Sequence, residues 1–224
     1  MAELILDQVH YQYPKAKNET LCGVSAVFLS GKTTSIVGPS GAGKSTMLYL
    51  ISGLDTPTSG QVRLDGKELL PGDLDSYRRN TVATISQSYL LFPTRTVLEN
   101  VLYPMELAKM DKQKAIEEAK EHLLSVGIQK ELHDRLPSKL SGGEQQRVAI
   151  ARCLAAHSKI IAADEPTGNL DEENSNEVMR ILTDLAHNQG KTVIIVTHDK
   201  VLAEQTDMQY RLEYGLLRLV KRCY

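Results

Sequence analysis

Apolar and polar residues alternate from position 3 to 36, broken by the turn-forming stretches PKAKN (14–18) and SGK (30–32), and alternate again in QVRLDGK at 61–67. A period of two puts successive side chains on opposite faces of a strand, so these segments are predicted as half-buried strands of a β-rich N-terminal part. TSIVG (34–38), KIIAAD (159–164) and TVIIVTHD (192–199) differ. They are short apolar runs rich in Val and Ile, the pattern of parallel strands covered on both faces. Helical spacing lies between them. Met47, Leu48, Ile51 and Leu54 share one stripe that ends near Gly53. Ala115, Ile116, Ala119, Leu123 and Val126 form another, with Gly127 as its C-cap. The predicted fold class is α/β: a parallel-sheet core with an antiparallel β subdomain and an inserted helical subdomain. One domain spans 1–224, with 1–87 and 159–224 as β-rich and catalytic core and 88–158 as the helical part.

Composition narrows the function classes. With 224 residues, 42% hydrophobic and 24% charged, the chain can bury a sizeable core and has no tract that calls for disorder. A net charge of -2 argues against nonspecific nucleic-acid binding, which needs a basic face, so no nucleic acid is expected as a partner. No apolar run approaches the ~20 residues that cross a bilayer. The first ten residues have no charged stretch followed by an apolar one, so no secretory signal is visible. Cys22, Cys153 and Cys223 are odd in number and fit no C-x-x-C spacing, which disfavours a disulfide framework and a zinc site and points to the cytosol.

Chemistry enters at GPSGAGKST. Gly38, Pro39, Ser40, Gly41, Ala42, Gly43, Lys44 and Ser45 fit G-x-x-x-x-G-K-[ST], directly after an apolar strand and before a helix. Backbone N–H groups can wrap a polyphosphate only where side chains do not intrude, and a helix N-terminus adds a favourable dipole. Lys44 is expected to neutralise β- and γ-phosphate oxygens, and Ser45 to ligate Mg²⁺. An ordinary glycine-rich turn would explain the glycines but not the Lys-Ser pair.

KIIAADEP ends an apolar strand in two carboxylates, and strand ends in open α/β sheets are where ligands sit. Asp164 is the expected Mg²⁺-side acid. Glu165 is free to orient the attacking water and accept its proton. A solvated Asp-Glu-Pro turn is the plain alternative, and the phosphate loop tips the balance against it. By the same geometry His198, ending TVIIVTHD, lands beside the γ-phosphate; its plain alternative is a surface or core histidine.

KLSGGEQQRVAIARCLAA (139–156) raises a different question. Ser141 and Glu144 form an S-x-x-E capping box before a helix. A cap contributes ~1 kcal/mol, whereas Gly142 and Gly143 together cost up to about 2 inside a helix. Something else should need bare backbone there, and a second anion is the obvious candidate.

LSGGEQQ resembles the signature of ATP-binding cassette (ABC) proteins, standing between a P-loop and IIAADEP in that family's order. Gln87 resembles the Q-loop glutamine, Asn169-Leu170-Asp171 the D-loop, and His198 the switch histidine. GEQQRVAIARCLAA with ADEPTGNLD is similar to cassettes of the lipoprotein-release and macrolide or antimicrobial-peptide exporter group. The resemblance implies a P-loop NTPase fold and ATP hydrolysis with Mg²⁺ held by Ser45, Gln87 and Asp164. It implies catalytic roles for Glu165, His198, Gln87 and Lys44, and a contact of Thr46 with the α-phosphate. It implies two copies paired head to tail, so that Ser141, Gly142, Gly143, Glu144 and Asp171 of one close on the ATP of the other. An aromatic stacks on adenine: Tyr13 matches best, with Tyr11 on the same face if the segment is a strand. A separate integral membrane permease is implied, docking near Leu90, Leu91, Phe92 and Leu98, and so is a place at the inner face of the cell membrane. Ser86 departs from the apolar or aromatic residue common before that glutamine. An ABC ATPase driving a nontransport partner would share every motif quoted.

Overall fold

The computed structural model describes residues 3–222, so Cys223 lies outside the described residues. In chain order the elements are β1 (Leu4–Tyr11), β2 (Leu21–Phe28), β3 (Thr33–Val37), α1 (Lys44–Ile51), β4 (Ser59–Leu64), β5 (Lys67–Glu68), α2 (Leu74–Asn80) and β6 (Val82–Ile85). Then follow α3 (Val97–Leu107), α4 (Lys112–Ser125), α5 (Gly142–Ala155), β7 (Ile160–Asp164), α6 (Glu172–His187), β8 (Thr192–Thr197), α7 (Lys200–Glu204), β9 (Met208–Glu213) and β10 (Leu216–Arg222).

Two sheets result. β2-β1-β4-β5 is antiparallel. The larger sheet runs β10-β9-β3-β8-β7-β6, parallel from β9 to β6, with β10 antiparallel at one edge. The apolar runs are its centre: every residue of β3 and β8 is buried. Alternation along those strands builds two cores. Ile160, Ala162, Ile194 and Val196 pack with Ile36, Met47, Ile51 and Phe28 on one face. Ile161, Ala163, Val193 and Ile195 pack with α5 and α6 residues such as Val148, Ala151, Val178 and Leu182 on the other. The sheet is thus sandwiched between the β subdomain with α1 and the helices, which fixes the direction of its carboxyl ends.

Capping chemistry sets the helix starts. Thr96 and Ser141 each cap through a box closed by Glu99 and Glu144, and Asp111 and Asp171 accept from the first turns of α4 and α6. Gly127 follows α4 at φ +77°, the left-handed stop expected of it. Leu54 departs from its predicted stripe. The helix ends at Ile51, the chain turns through Gly53, and Leu54 is exposed. Among the described residues no helix is long and apolar enough to cross a membrane, and both described cysteines are free.

Asp207 locks the start of β9 to β3. Its Oδ2 accepts from Thr33 N at 2.8 Å and Thr33 Oγ1 at 2.9 Å and meets His187 Nε2 at 2.8 Å, with Lys32 Nζ 3.6 Å from Oδ1. Burial pushes its carboxyl up, but the hydrogen bonds from His187 and Thr33 outweigh that and hold it below the usual range. A depressed carboxylate stabilises the fold above its unfolded pKa of about 4, and that contribution disappears as pH falls through the folded value. Asp207→Asn should therefore cost about 1–3 kcal/mol at pH 7, with the gap to the parent closing below about pH 4 in urea titrations.

Candidate functional site: a phosphate loop facing two carboxylates

Residues 38–45 leave the carboxyl end of β3 and wrap the start of α1. Two glycines are dictated by geometry. A Cβ at Gly38 would lie 2.1 Å from the Leu212 carbonyl oxygen, and Gly43 turns at φ +100° to start the helix. Lys44 folds back over the loop, its Nζ donating to the carbonyls of Gly38 at 2.9 Å and Pro39 at 3.1 Å. Ser40, Gly41, Gly43, Lys44, Ser45 and Thr46 line a cleft of ≈ 490 Å³ together with Tyr13, Thr20, Gln87, Asp164 and Glu165. Gly38, Pro39 and Ala42 belong to the loop but do not line that cleft; Gly38 and Pro39 share a neighbouring depression with His198.

The carboxylates arrive on β7. Asp164 ends the strand half-buried; burial, then the neighbouring Glu165 charge, raise its pKa, while Lys44 opposes them. Glu165 occupies the left-handed region at φ +45°, unusual for a side-chain-bearing residue and costing about 1–3 kcal/mol. It persists because its surroundings hold it: its N–H donates to Val196 O at 2.9 Å, and its carboxylate is gripped from the end of β8. Thr197 Oγ1 donates to Oε2 at 3.2 Å, His198 N to Oε2 at 3.3 Å, and His198 Nδ1 lies 2.9 Å from Oε1. A carboxylate aimed by a histidine beside a phosphate loop can take a proton from water. Ser45, Gln87 and Asp164 bring hard oxygen donors to the same cleft, beside a second negative charge, and this donor set suits Mg²⁺.

Tyr11 and Tyr13 divide. Tyr11 ends β1 buried, its hydroxyl donating to Asp55 Oδ2, and that bond raises its pKa to about 12. Tyr13, beyond the strand and 42% exposed, meets Tyr11 edge-on at 4.9 Å and lies with its hydroxyl 2.8 Å from Thr46 Oγ1 at the cleft rim. Only Tyr13 of the pair presents to the cleft.

Ser141, Gly142, Gly143 and Glu144 form the first turn of α5, with the capping box at 2.7 and 3.3 Å, and none of them lines that cleft. Gly143 also has an internal reason that the cost argument from sequence missed, and Gly142 a milder one at the end of a tyrosine side chain. A Cβ at Gly142 would come within 3.0 Å of the Tyr89 hydroxyl, and one at Gly143 within 2.2 Å of Asn174 Oδ1. Asp171 caps α6, held by the Asn174 N–H at 2.8 Å.

Gln87 sits on a loop tied to both neighbours. Asn169 Nδ2 donates to Gln87 O at 3.2 Å. Arg152 from α5 donates to the carbonyls of Leu90 at 2.8 Å and Tyr89 at 3.1 Å, and both of those residues are left-handed. Beyond them Leu90 is exposed, Leu91 and Leu98 are partly buried against the core, and Phe92 stacks edge-on with Tyr103 at 4.7 Å beneath the Arg95 guanidinium. Thr20 and Thr197 are site residues that sequence reasoning did not pick, because a lone threonine carries no motif.

The family model described as ABC transporter matches residues 21–168. The chain is 40% identical over 215 residues to the uncharacterized ABC transporter ATP-binding protein YclH of Bacillus subtilis, covering 96% of this chain and 95% of the relative. It is 41% identical to the lipoprotein-releasing system ATP-binding protein LolD of Shewanella frigidimarina, covering 94% and 89%. Among solved structures it is similar to the dimeric bacterial ABC transporter cassette MJ0796, with TM-score 0.88, 36% identity and 97% and 98% coverage. The same cassette is known in a dimeric post-hydrolysis state bound to ADP and Pi, with the same score. Phosphate loop, paired carboxylates and these likenesses agree: the chain belongs to the ABC transporter family and is the ATP-binding, ATP-hydrolysing subunit of such a transporter.

Proposed function

We propose that two copies of this chain pair head to tail around two ATP molecules, each closing the first turn of α5 onto the nucleotide held by the other's phosphate loop. One observation carries this reading: Ser141, Gly142, Gly143 and Glu144 form a capped glycine turn that does not line the cleft around Lys44, so the two motifs lie apart within one chain. In a two-fold dimer each half completes the other. The dimeric cassette to which the chain is similar supports it.

Within the closed site Lys44 exchanges its carbonyl partners for β- and γ-phosphate oxygens, and Thr46 meets the α-phosphate. Tyr13 stacks on adenine. Glu165 accepts the proton of the attacking water, oriented by His198 and Thr197. Mg²⁺ held by Ser45, Asp164 and Gln87 supplies neutralisation of charge on the transferring phosphoryl oxygens. Asp171 faces the opposing copy. Hydrolysis removes the bridging phosphate and the pair opens.

The chain works on the inner face of the cell membrane with a separately encoded permease, seated beside Leu90, Phe92 and Leu98. The likeness to the lipoprotein-releasing LolD favours a partner that extracts lipoproteins, and the resemblance of GEQQRVAIARCLAA and ADEPTGNLD to exporter cassettes extends the reading to peptides or drugs. Ser141→Asp tests the pairing, because aspartate keeps the N-cap but puts a carboxylate where the other copy's phosphate would sit. The monomer should bind ATP as before, while the ATP-dependent dimer seen by size-exclusion chromatography is lost. A variant that still dimerises, or whose monomer binds ATP more weakly, overturns the reading.

A further inference from the structure

The first turn of α5 has a close neighbour in its own chain to which the cycle above gives no part. Asn174, in the first turn of α6, places its carboxamide where a side chain at residue 143 would go: a Cβ there would lie 2.2 Å from Oδ1, 2.6 Å from Cγ and 3.1 Å from Cβ of Asn174. Real carbon atoms do not approach so closely, and the amide is not free to swing aside. Its Nδ2 donates to Asp171 Oδ1 and Oδ2, both at 2.9 Å, and its Oδ1 accepts from Arg147 Nη1 at 3.1 Å. Arg147 is fixed in turn, its Nη1 3.0 Å from Glu177 Oε2 and its side chain 11% exposed. Each end of the carboxamide therefore holds a charged group, and such bonds are stronger than those between neutral partners. The four residues Asp171, Asn174, Arg147 and Glu177 bind α6 to α5 where the signature turn begins.

We propose that Asn174 is a positioning residue that docks the signature turn onto the D-loop within one chain. Gly143 must be glycine because the Asn174 carboxamide fills its side-chain space, and Asp171 keeps its orientation through that same carboxamide. The inference rests on the reading that Asp171 and the first turn of α5 both face nucleotide in the dimer. A methyl group at 143 then acts through Asn174, either pushing α5 off α6 or turning the amide away from Asp171 and Arg147.

A double-mutant cycle tests it in a Glu165→Gln background, where ATP-driven dimer is read by size-exclusion chromatography. Gly143→Ala should weaken dimerisation roughly tenfold or more. Asn174→Ala alone, which loses the bonds to Asp171 and Arg147, should weaken it as well, but adding Gly143→Ala to Asn174→Ala should cost little more, because a methyl group at 143 then meets only the Cβ contact. Losses that simply add, or an Asn174→Ala or Gly143→Ala variant that dimerises normally, overturn the proposal. If Glu165→Gln alone fails to dimerise, the pairing has failed rather than the docking. Thermal unfolding then decides: Gly143→Ala and Asn174→Ala should each lower the melting temperature, with the double variant close to Asn174→Ala, and losses that add overturn the docking. The carboxyl of Asp171, held below the usual range first by the Asn174 N–H and then by its carboxamide, should titrate higher by ¹³C NMR in Asn174→Ala. An unchanged titration removes Asn174 from the positioning of Asp171.

Discussion

Glu165→Gln is expected to bind ATP normally and to lose turnover by roughly 10²- to 10⁴-fold, the contribution of a positioned general base. The amide is isosteric with the carboxylate but cannot accept the proton of the attacking water. It can still accept from Thr197 and from the His198 N–H, which hold Oε2 now, so the left-handed turn at 165 should survive. Binding and chemistry should therefore separate: unchanged affinity in a fluorescent-nucleotide titration, phosphate release near background, and ATP-bound dimer accumulating on a sizing column. Hydrolysis at the parental rate would take the base role from Glu165. A loss of nucleotide affinity equal to the loss of rate would mean that the substitution had disturbed the cleft instead.

Lys44→Ala should weaken ATP binding by about 10²-fold, the equivalent of two to three kcal/mol for a charged donor on phosphate. The ammonium now bonds two loop carbonyls, so its removal leaves Gly38 O and Pro39 O to solvent as well as leaving the phosphates without their cation. Lys44→Arg should recover little, because a planar fork cannot replace a compact point charge in a loop of this size. Titration with labelled ATP checks both variants, and parental affinity in Lys44→Ala would contradict the assignment.

The central strands and the phosphate loop were legible because their residue types leave few alternatives: unbroken Val and Ile runs suit strands covered on both faces, and a lysine-serine pair after a glycine loop has little other use. β6, β9 and β10 were not foreseen. β6 has only Val82 and Ile85 fully buried, and β9 and β10 lie towards an edge where β10 keeps Leu216, Leu219 and Val220 exposed. β9 does alternate, with Met208, Tyr210 and Leu212 buried between polar neighbours, so its signal was present and went unread, whereas the edge strands β6 and β10 are short or mostly exposed and carry no such period. At the site, likeness alone preferred Tyr13 to Tyr11, and what spacing did not show is that β1 ends at Tyr11 and buries it against Asp55. The glycine pair at 142 and 143 was read as a demand for bare backbone by a second anion, and within the chain the Asn174 carboxamide makes such a demand at 143 by itself. Asn174 comes from a distant segment, and no local spacing announces a close approach across the fold.

Arg152 gives the loop after Gln87 a mechanical character. Its guanidinium spans two carbonyls of a turn that is left-handed at consecutive residues, and its other end is anchored in α5. A left-handed pair held this way has little slack, and a helix is stiff along its length. The loop after Gln87 is therefore moored to the same helix whose other end begins at the Ser141 cap, and cutting the Arg152 tether would leave two left-handed residues without their side-chain partner.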